Sequence, residues 1–171
     1  MLRATRVLLS SGTLVHKSLD STTLLHRSSP ADAVNPAELF EPVKKAVLIG
    51  IPGAFTPGCS KTHVPGYLKY YDELKNKGVD LIGCVSVNDS YVLNAWSKHL
   101  EVGDKITMLA DPQGNFVKGL GLDFDASAAL GGRRSKRFAM ILENGRITKL
   151  FVEPNNTGLS VSLAENLIKE L

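Results

Sequence analysis

The chain has 171 residues, of which 43% are hydrophobic, and it carries a net charge of +3. This length and composition fit one domain with a compact core. No apolar run approaches the roughly 18 residues of a membrane-spanning helix, so membrane insertion is not expected. The excess charge lies entirely in residues 1–30, and the balanced remainder excludes a broad basic surface for nucleic acid.

Residues 1–30 have the composition of a targeting leader. They are rich in Ser and Thr, and their charged side chains are Arg3, Arg6, Lys17, Asp20 and Arg27. This composition is typical of a mitochondrial transit peptide, with a secretory signal or an untargeted tail as alternatives. We therefore predict a leader over residues 1–30, a folded domain over residues 31–171 and a mitochondrial location, with cytoplasmic and peroxisomal locations as alternatives.

The first half of the domain alternates apolar runs with amphipathic segments. The apolar runs predict buried strands over 46–51, 79–87 and 105–110. The 3.6-residue periodicity predicts helices over 60–77, interrupted near Pro65-Gly66, and over 89–100, capped by Asn88 or Asp89. This order favours parallel strands joined by helical crossovers.

The second half of the domain has a different pattern. Residues 119–135 are rich in Gly, Asp and small residues and predict a long loop. Asn144-Gly145 predicts a hairpin between strands 138–142 and 146–152, and Ser162-Leu-Ala-Glu165 is typical of a capping box that opens a last helix. The whole order predicts an α/β fold with a mixed sheet covered by helices, as in thioredoxin.

The segment Pro52-Gly-Ala-Phe-Thr-Pro-Gly-Cys59 joins the first buried strand to the first helix. Ligands of α/β sheets bind at such junctions, and the N–H groups and dipole of a first helical turn favour an anion. Cys59 is therefore a candidate nucleophile in its thiolate form, with the Thr56 hydroxyl within reach. Spacing alone leaves two alternatives open, a buried structural cysteine and a metal site with His63 and Cys84.

The pattern Pro52-x-x-x-Thr56-x-x-Cys59 resembles the active-site signature of the peroxiredoxins. The run from Pro52 to His63 is similar to the peroxiredoxin 5 (type II) subfamily, within the thioredoxin-like superfamily. The similarity covers about residues 38–171, and its other blocks are Val85-Ser-Val-Asn-Asp89, Leu109-Ala-Asp-Pro112, Arg133-Arg-Ser-Lys-Arg-Phe138 and Val152-Glu-Pro154.

The resemblance implies the roles of individual residues. Cys59 matches the cysteine that attacks the peroxide, and Thr56 matches the threonine whose hydroxyl binds the sulfur and the peroxide. Arg137 matches the active-site arginine, whose fork of N–H donors suits both thiolate and oxygen. Pro52 opens the signature and stiffens the loop. A general-base role for His63 is an alternative to packing or helix capping.

The resemblance also implies the reaction. Such an enzyme reduces hydrogen peroxide and alkyl hydroperoxides, with peroxynitrite as a further candidate, through a sulfenic acid on the cysteine. Its reductant would be thioredoxin, glutaredoxin or glutathione, it would need no metal or other cofactor, and it could form a homodimer. A redox sensor oxidised at Cys59 and an inactive truncated variant are the alternative functions.

The sequence departs from the family pattern at two places. Animal relatives carry a resolving cysteine where Val161 stands, so a thiol from outside the chain is expected to reduce the sulfenic acid. Cys84 lies within the predicted strand 79–87, where a structural role is expected. The strand region that usually precedes Asn35 is not recognisable, which predicts exposed sheet edge and apolar core.

Overall fold

The computed structural model describes residues 13–20 and 22–171. Its main sheet has eight strands: β1 (Thr13–Ser18), β2 (Leu25–His26), β3 (Ala33–Val34), β4 (Ala46–Ile51), β5 (Leu81–Ser86), β6 (Thr107–Ala110), β9 (Phe138–Glu143) and β10 (Arg146–Val152). Two short strands, β7 (Asp123–Asp125) and β8 (Arg133–Ser135), form a separate antiparallel pair. The α/β fold with a mixed sheet is therefore confirmed.

The order of the main sheet is β1-β10-β9-β4-β5-β6-β2-β3. The three central strands β4, β5 and β6 run parallel, and every other pairing is antiparallel. Helical crossovers join the parallel strands, as the alternating pattern of the sequence predicts.

Seven α-helices lie in the described part of the chain: α1 (Pro36–Phe40), α2 (Val64–Lys69), α3 (Tyr71–Asn76), α4 (Ser90–His99), α5 (Asn115–Gly119), α6 (Ser127–Leu130) and α7 (Ala164–Leu167). A π-helix (Cys59–His63) precedes α2, and a 3₁₀ turn (Ile168–Glu170) follows α7. None of the described helices is long and apolar enough to cross a membrane.

Strand β4 separates two hydrophobic cores. Side chains alternate across a strand, so Val47 and Ile49 face one core while Ala46 and Leu48 face the other. All six residues of β4 are buried, which explains why its sequence is a continuous apolar run. Cys59 belongs to the first of these cores.

Several local predictions are confirmed. The Asp89 carboxylate caps α4 by accepting a hydrogen bond of 2.9 Å from the Val92 N–H. Asn144 and Gly145 both have positive φ, of 50° and 73°, as the tight turn of a hairpin requires. The helical segment changes from π to α geometry at Val64, next to Pro65, whose missing amide hydrogen suits the first turn of a helix, and Tyr70 then separates α2 from α3.

Other local predictions are wrong. The segment 119–135 is not one long loop, because it contains β7, α6 and β8. Ser162 does not cap the last helix, since α7 begins after Leu163 and the Ser162 hydroxyl donates to Glu153 instead. A long-range partner therefore takes the side chain that a local capping pattern would use.

The N-terminal region also requires a correction. Strand β1 pairs with β10, and β2 pairs with β3 and β6, so the described residues before residue 31 belong to the sheet. The predicted domain boundary between residues 30 and 31 therefore falls inside the folded part. The expected loss of edge strands is likewise wrong, although residues 1–12 lie outside the described residues.

Gly50 in β4 packs directly against the ring of Phe138, because a Cβ at this position would overlap that ring. We predict that Gly50→Ala lowers the free energy of unfolding by about 2–3 kcal/mol, since that ring cannot move without disturbing the second core. The matched control is Gly66→Ala in α2, where an added Cβ meets nothing within 4 Å. That variant should gain up to about 1 kcal/mol. Urea unfolding of the two variants measures both changes, and equal free energies of unfolding would contradict the close contact between Gly50 and Phe138.

Candidate active site

Cys59 lies where the chain leaves β4 and enters the π-helix. Its side chain is fully buried, and the Val64 N–H donates to the Cys59 carbonyl to close the wide helical turn. The indole N–H of the buried Trp96 donates to the Ser60 hydroxyl at 3.0 Å and ties this turn to α4. The thiol thus occupies a buried position beyond the carboxyl end of a central strand.

The loop before Cys59 is held by its own polar groups. The Ala54 N–H donates to Asn88 Oδ1 at 3.0 Å, and the Thr56 hydroxyl donates to the Gly53 carbonyl at 2.7 Å. The single hydroxyl proton of Thr56 therefore points at Gly53, which leaves the oxygen free to accept. Phe55 adopts a φ of 62°, which is uncommon for a residue with a side chain of this size. Pro52, at the start of the loop, is buried.

Arg137 brings a positive charge directly to the sulfur. It lies between β8 and β9, is only 3% exposed, and its Nη1 donates to Cys59 Sγ at 3.3 Å. Its Nε donates to the Thr157 carbonyl at 3.2 Å. A Cβ at Gly58 would lie 2.9 Å from Nη2, so the glycine makes room for the guanidinium. A buried cation is tolerated where acceptors surround it, and here the sulfur is one of those acceptors.

His63 contacts the same arginine nitrogen. Its Nδ1 lies 3.3 Å from Arg137 Nη1, and its Nε2 lies 3.1 Å from the Ser162 carbonyl oxygen. Burial, followed by the charge of Arg137, lowers the pKa of His63 to about 3, so the ring is neutral at physiological pH. The tautomer with its proton on Nε2 satisfies both contacts, and a ring of such low basicity is a poor general base.

The second cysteine, Cys84, lies on β5 with its backbone in register with Ile49. Burial, followed by the proximity of Cys59, raises the pKa of its thiol well above the usual range. Both cysteines are free thiols. A thiol that stays protonated at neutral pH is inert as a nucleophile, which agrees with the structural role expected from its mid-strand position.

Four of the residues singled out in the sequence, Pro52, Thr56, Cys59 and Arg137, lie in this region, and the arginine contacts the thiol directly. The sequence did not predict the contact between His63 and Arg137, because the two residues are far apart along the chain. It also did not predict the contacts of Ser162, whose hydroxyl donates to Glu153 and whose carbonyl oxygen lies near the His63 ring. The sequence signals for these residues are the spacing of four residues between Cys59 and His63 and the family-like block Val152-Glu-Pro154. Across the described residues, no group of three or more His, Cys, Asp or Glu side chains could hold a metal ion.

Comparison with known proteins agrees with the site and the fold. The Redoxin family model matches residues 18–168. Peroxiredoxin-2F, mitochondrial, of Oryza sativa subsp. japonica is 45% identical over 128 residues, covering 75% of this chain and 65% of the rice protein. Peroxiredoxin-2D of Arabidopsis thaliana is 44% identical over 128 residues, covering 75% of this chain and 78% of that protein.

Solved structures give the same result. Reduced Prx3 of Vibrio vulnificus in complex with H2O2 superposes with a TM-score of 0.84 at 42% identity, covering 93% of this chain and 99% of that one. Peroxiredoxin 5 from Alvinella pompejana superposes with a TM-score of 0.79 at 35% identity, covering 92% and 98%. The chain therefore belongs to the type II peroxiredoxins, thioredoxin-like enzymes that reduce peroxides with thiols in antioxidant defence.

Proposed function

We propose that Cys59 is the peroxidatic cysteine and that its substrates are hydrogen peroxide and alkyl hydroperoxides, with peroxynitrite as a further candidate. The observation that carries this proposal is the 3.3 Å contact between Arg137 Nη1 and the buried Cys59 sulfur. The guanidinium can donate both to the sulfur and to the oxygens of a bound peroxide, and the thiolate is the form of cysteine that attacks. Catalytic turnover separates this function from a redox sensor, which no feature of the site favours.

The reaction follows from the groups around the sulfur. The thiolate attacks one peroxide oxygen, an S–O bond forms, and the O–O bond breaks. The other oxygen leaves with the electron pair and takes a proton to become water or an alcohol. The N–H donors of Arg137 stabilise the negative charge that develops on the oxygens. Thr56 binds the peroxide through its hydroxyl, while Pro52 keeps the loop in position.

The sulfenic acid on Cys59 must then be reduced. Val161 has no sulfur, and Cys84 is a buried, protonated thiol within a strand. We therefore propose that two equivalents of an external thiol complete the cycle, releasing water and a disulfide, with glutathione, glutaredoxin or thioredoxin as the donor. We further propose that the protein forms a homodimer, as the family resemblance implies.

We also propose that the chain is imported into mitochondria. Arg3 and Arg6 precede the first described strand, and one of the relatives, the rice protein, is named as mitochondrial. Basic residues without acids are typical of a mitochondrial presequence.

The first prediction concerns the two cysteines. Cys59→Ser should abolish peroxidase turnover, because a serine hydroxyl is scarcely ionised near neutral pH. Cys84→Ser should keep turnover with a glutathione–glutaredoxin system, since the sulfenic acid is resolved from outside. When the wild type is treated with one equivalent of peroxide and then with dimedone, its intact mass should show a dimedone adduct of the Cys59 sulfenic acid. A loss of two hydrogens with no adduct would make Cys84 the resolving residue.

The second prediction concerns the arginine. Arg137→Met should lower the second-order rate constant with hydrogen peroxide by about a hundredfold, because a preorganised donor and a cation are lost. Stopped-flow measurement of Cys59 oxidation gives this constant directly. Arg133→Met is the matched control, since Arg133 lies four positions earlier and is paired with Asp123 at the surface. Equal rates in both variants would contradict the assigned role of Arg137.

The third prediction concerns targeting. A fusion of residues 1–30 to a fluorescent protein should reach mitochondria, and the Arg3→Glu, Arg6→Glu form should remain in the cytosol. The matched control changes Lys17 and Arg27 to Glu, which alters the charge equally at positions after residue 12. Microscopy of the three fusions decides the question, and a cytosolic unaltered fusion would exclude mitochondrial import by this segment.

A further inference from the structure

Glu153 is a buried carboxylate that the peroxidase chemistry does not use. It follows β10 and is only 1% exposed. None of the ion pairs among the described residues includes it. Burial favours the neutral acid, but hydrogen bonds from Ser160 and Ser162 outweigh it and lower the pKa of Glu153, so the group is ionised at neutral pH. An unpaired buried anion is costly unless hydrogen-bond donors surround it.

Those donors all belong to one short segment. Glu153 Oε1 accepts from the Ser160 N–H at 2.8 Å, the Ser162 N–H at 2.9 Å and the Ser162 hydroxyl at 2.7 Å. Glu153 Oε2 accepts from the Ser160 hydroxyl at 2.6 Å. A Cβ at Gly158 would lie 3.0 Å from Oε2, so the chain also passes close to the carboxylate there. The carboxylate thus fixes the backbone of residues 158–162, which we call the serine segment.

The serine segment and the residue just before it hold Arg137 by two routes. The first route is direct, because Arg137 Nε donates to the Thr157 carbonyl at 3.2 Å. The second passes through His63, whose Nε2 lies 3.1 Å from the Ser162 carbonyl and whose Nδ1 lies 3.3 Å from Arg137 Nη1. The same Nη1 contacts Cys59 Sγ. A shift of this backbone would therefore move the guanidinium relative to the sulfur.

We propose that Glu153 is a positioning residue for Arg137, acting through the serine segment and His63 to keep the guanidinium directed at Cys59. Glu153 contacts neither the sulfur nor the peroxide site, and it acts by fixing the position of the Arg137 guanidinium. The inference rests on the proposed function, since it concerns the rate at which Cys59 attacks peroxide. Val161 lies inside this segment, between the two serines that bind Glu153. It is the position at which animal relatives carry a resolving thiol.

The test is a double-mutant cycle of Glu153 with Arg137. In the wild-type background, Glu153→Ala should lower the second-order rate constant with hydrogen peroxide by about ten- to a hundredfold, because small displacements of a catalytic group are costly. In the Arg137→Met background, the same change should alter the rate by no more than about twofold, since no guanidinium remains to be positioned. Glu153→Gln, which keeps an acceptor oxygen without the charge, should restore most of the loss.

Two further variants complete the design. Asp111→Ala removes another buried carboxylate, which accepts from the Val117 N–H at 3.0 Å and has no part in the contacts to Arg137. It should reduce stability and leave the peroxide rate within about twofold of the wild type. If Glu153→Ala does not fold, the Ser160→Ala, Ser162→Ala double variant takes its place in the cycle, because it removes two of the four donors to the carboxylate. We expect it to lower the rate constant less than Glu153→Ala does, and only when Arg137 is present.

Two results would overturn the inference. Equal fractional losses with and without Arg137 would mean that Glu153 supports the fold generally, and a Glu153→Gln rate as low as that of Glu153→Ala would mean that the charge acts by itself. Failure of the underlying function is distinguishable, because Arg137→Met alone would then oxidise as fast as the wild type.

Discussion

The guanidinium of Arg137, buried against the sulfur of Cys59, is the interaction on which the rest of the site depends. A buried cation is tolerated only where acceptors surround it, and the acceptors here come from two separate parts of the chain. The π-helix supplies the sulfur and His63, and the segment after β10 supplies the Thr157 carbonyl. The sheet brings these parts together, because β4 leads into the π-helix and lies antiparallel to β9, which follows Arg137.

This arrangement determines the protonation states around the thiol. His63 must present an unprotonated Nδ1 to the guanidinium, and burial together with the charge of Arg137 lowers its pKa to about 3, which favours this state at physiological pH. Cys84, on the neighbouring strand, stays protonated because burial raises its pKa. Two cysteines of the same core therefore differ in reactivity, because only Cys59 has an arginine donating to its sulfur.

The local elements and the reactive loop could be predicted from the sequence, whereas the network behind Arg137 could not. Strand β4 and the Asn144-Gly145 turn follow from short-range patterns, and the family resemblance predicts the roles of Cys59, Thr56 and Arg137. Ser162 does not cap the last helix because its hydroxyl donates to Glu153, which lies nine residues earlier and directly after β10. Strands β2 and β3 have two residues each, too few for a periodic pattern, so only their pairing in the folded sheet defines them.

The ring of His63 offers the most direct measurement of how Arg137 is held. In the folded protein with ¹⁵N-labelled histidine, we predict that both ring nitrogens of His63 keep the shifts of a neutral imidazole with its proton on Nε2 between about pH 5 and pH 8, the range in which an ordinary histidine titrates. Such a spectrum means that Nδ1 accepts from Arg137 throughout. A His63 titration with a midpoint inside that range, or a proton on Nδ1, would contradict the arginine geometry on which the proposed catalysis depends.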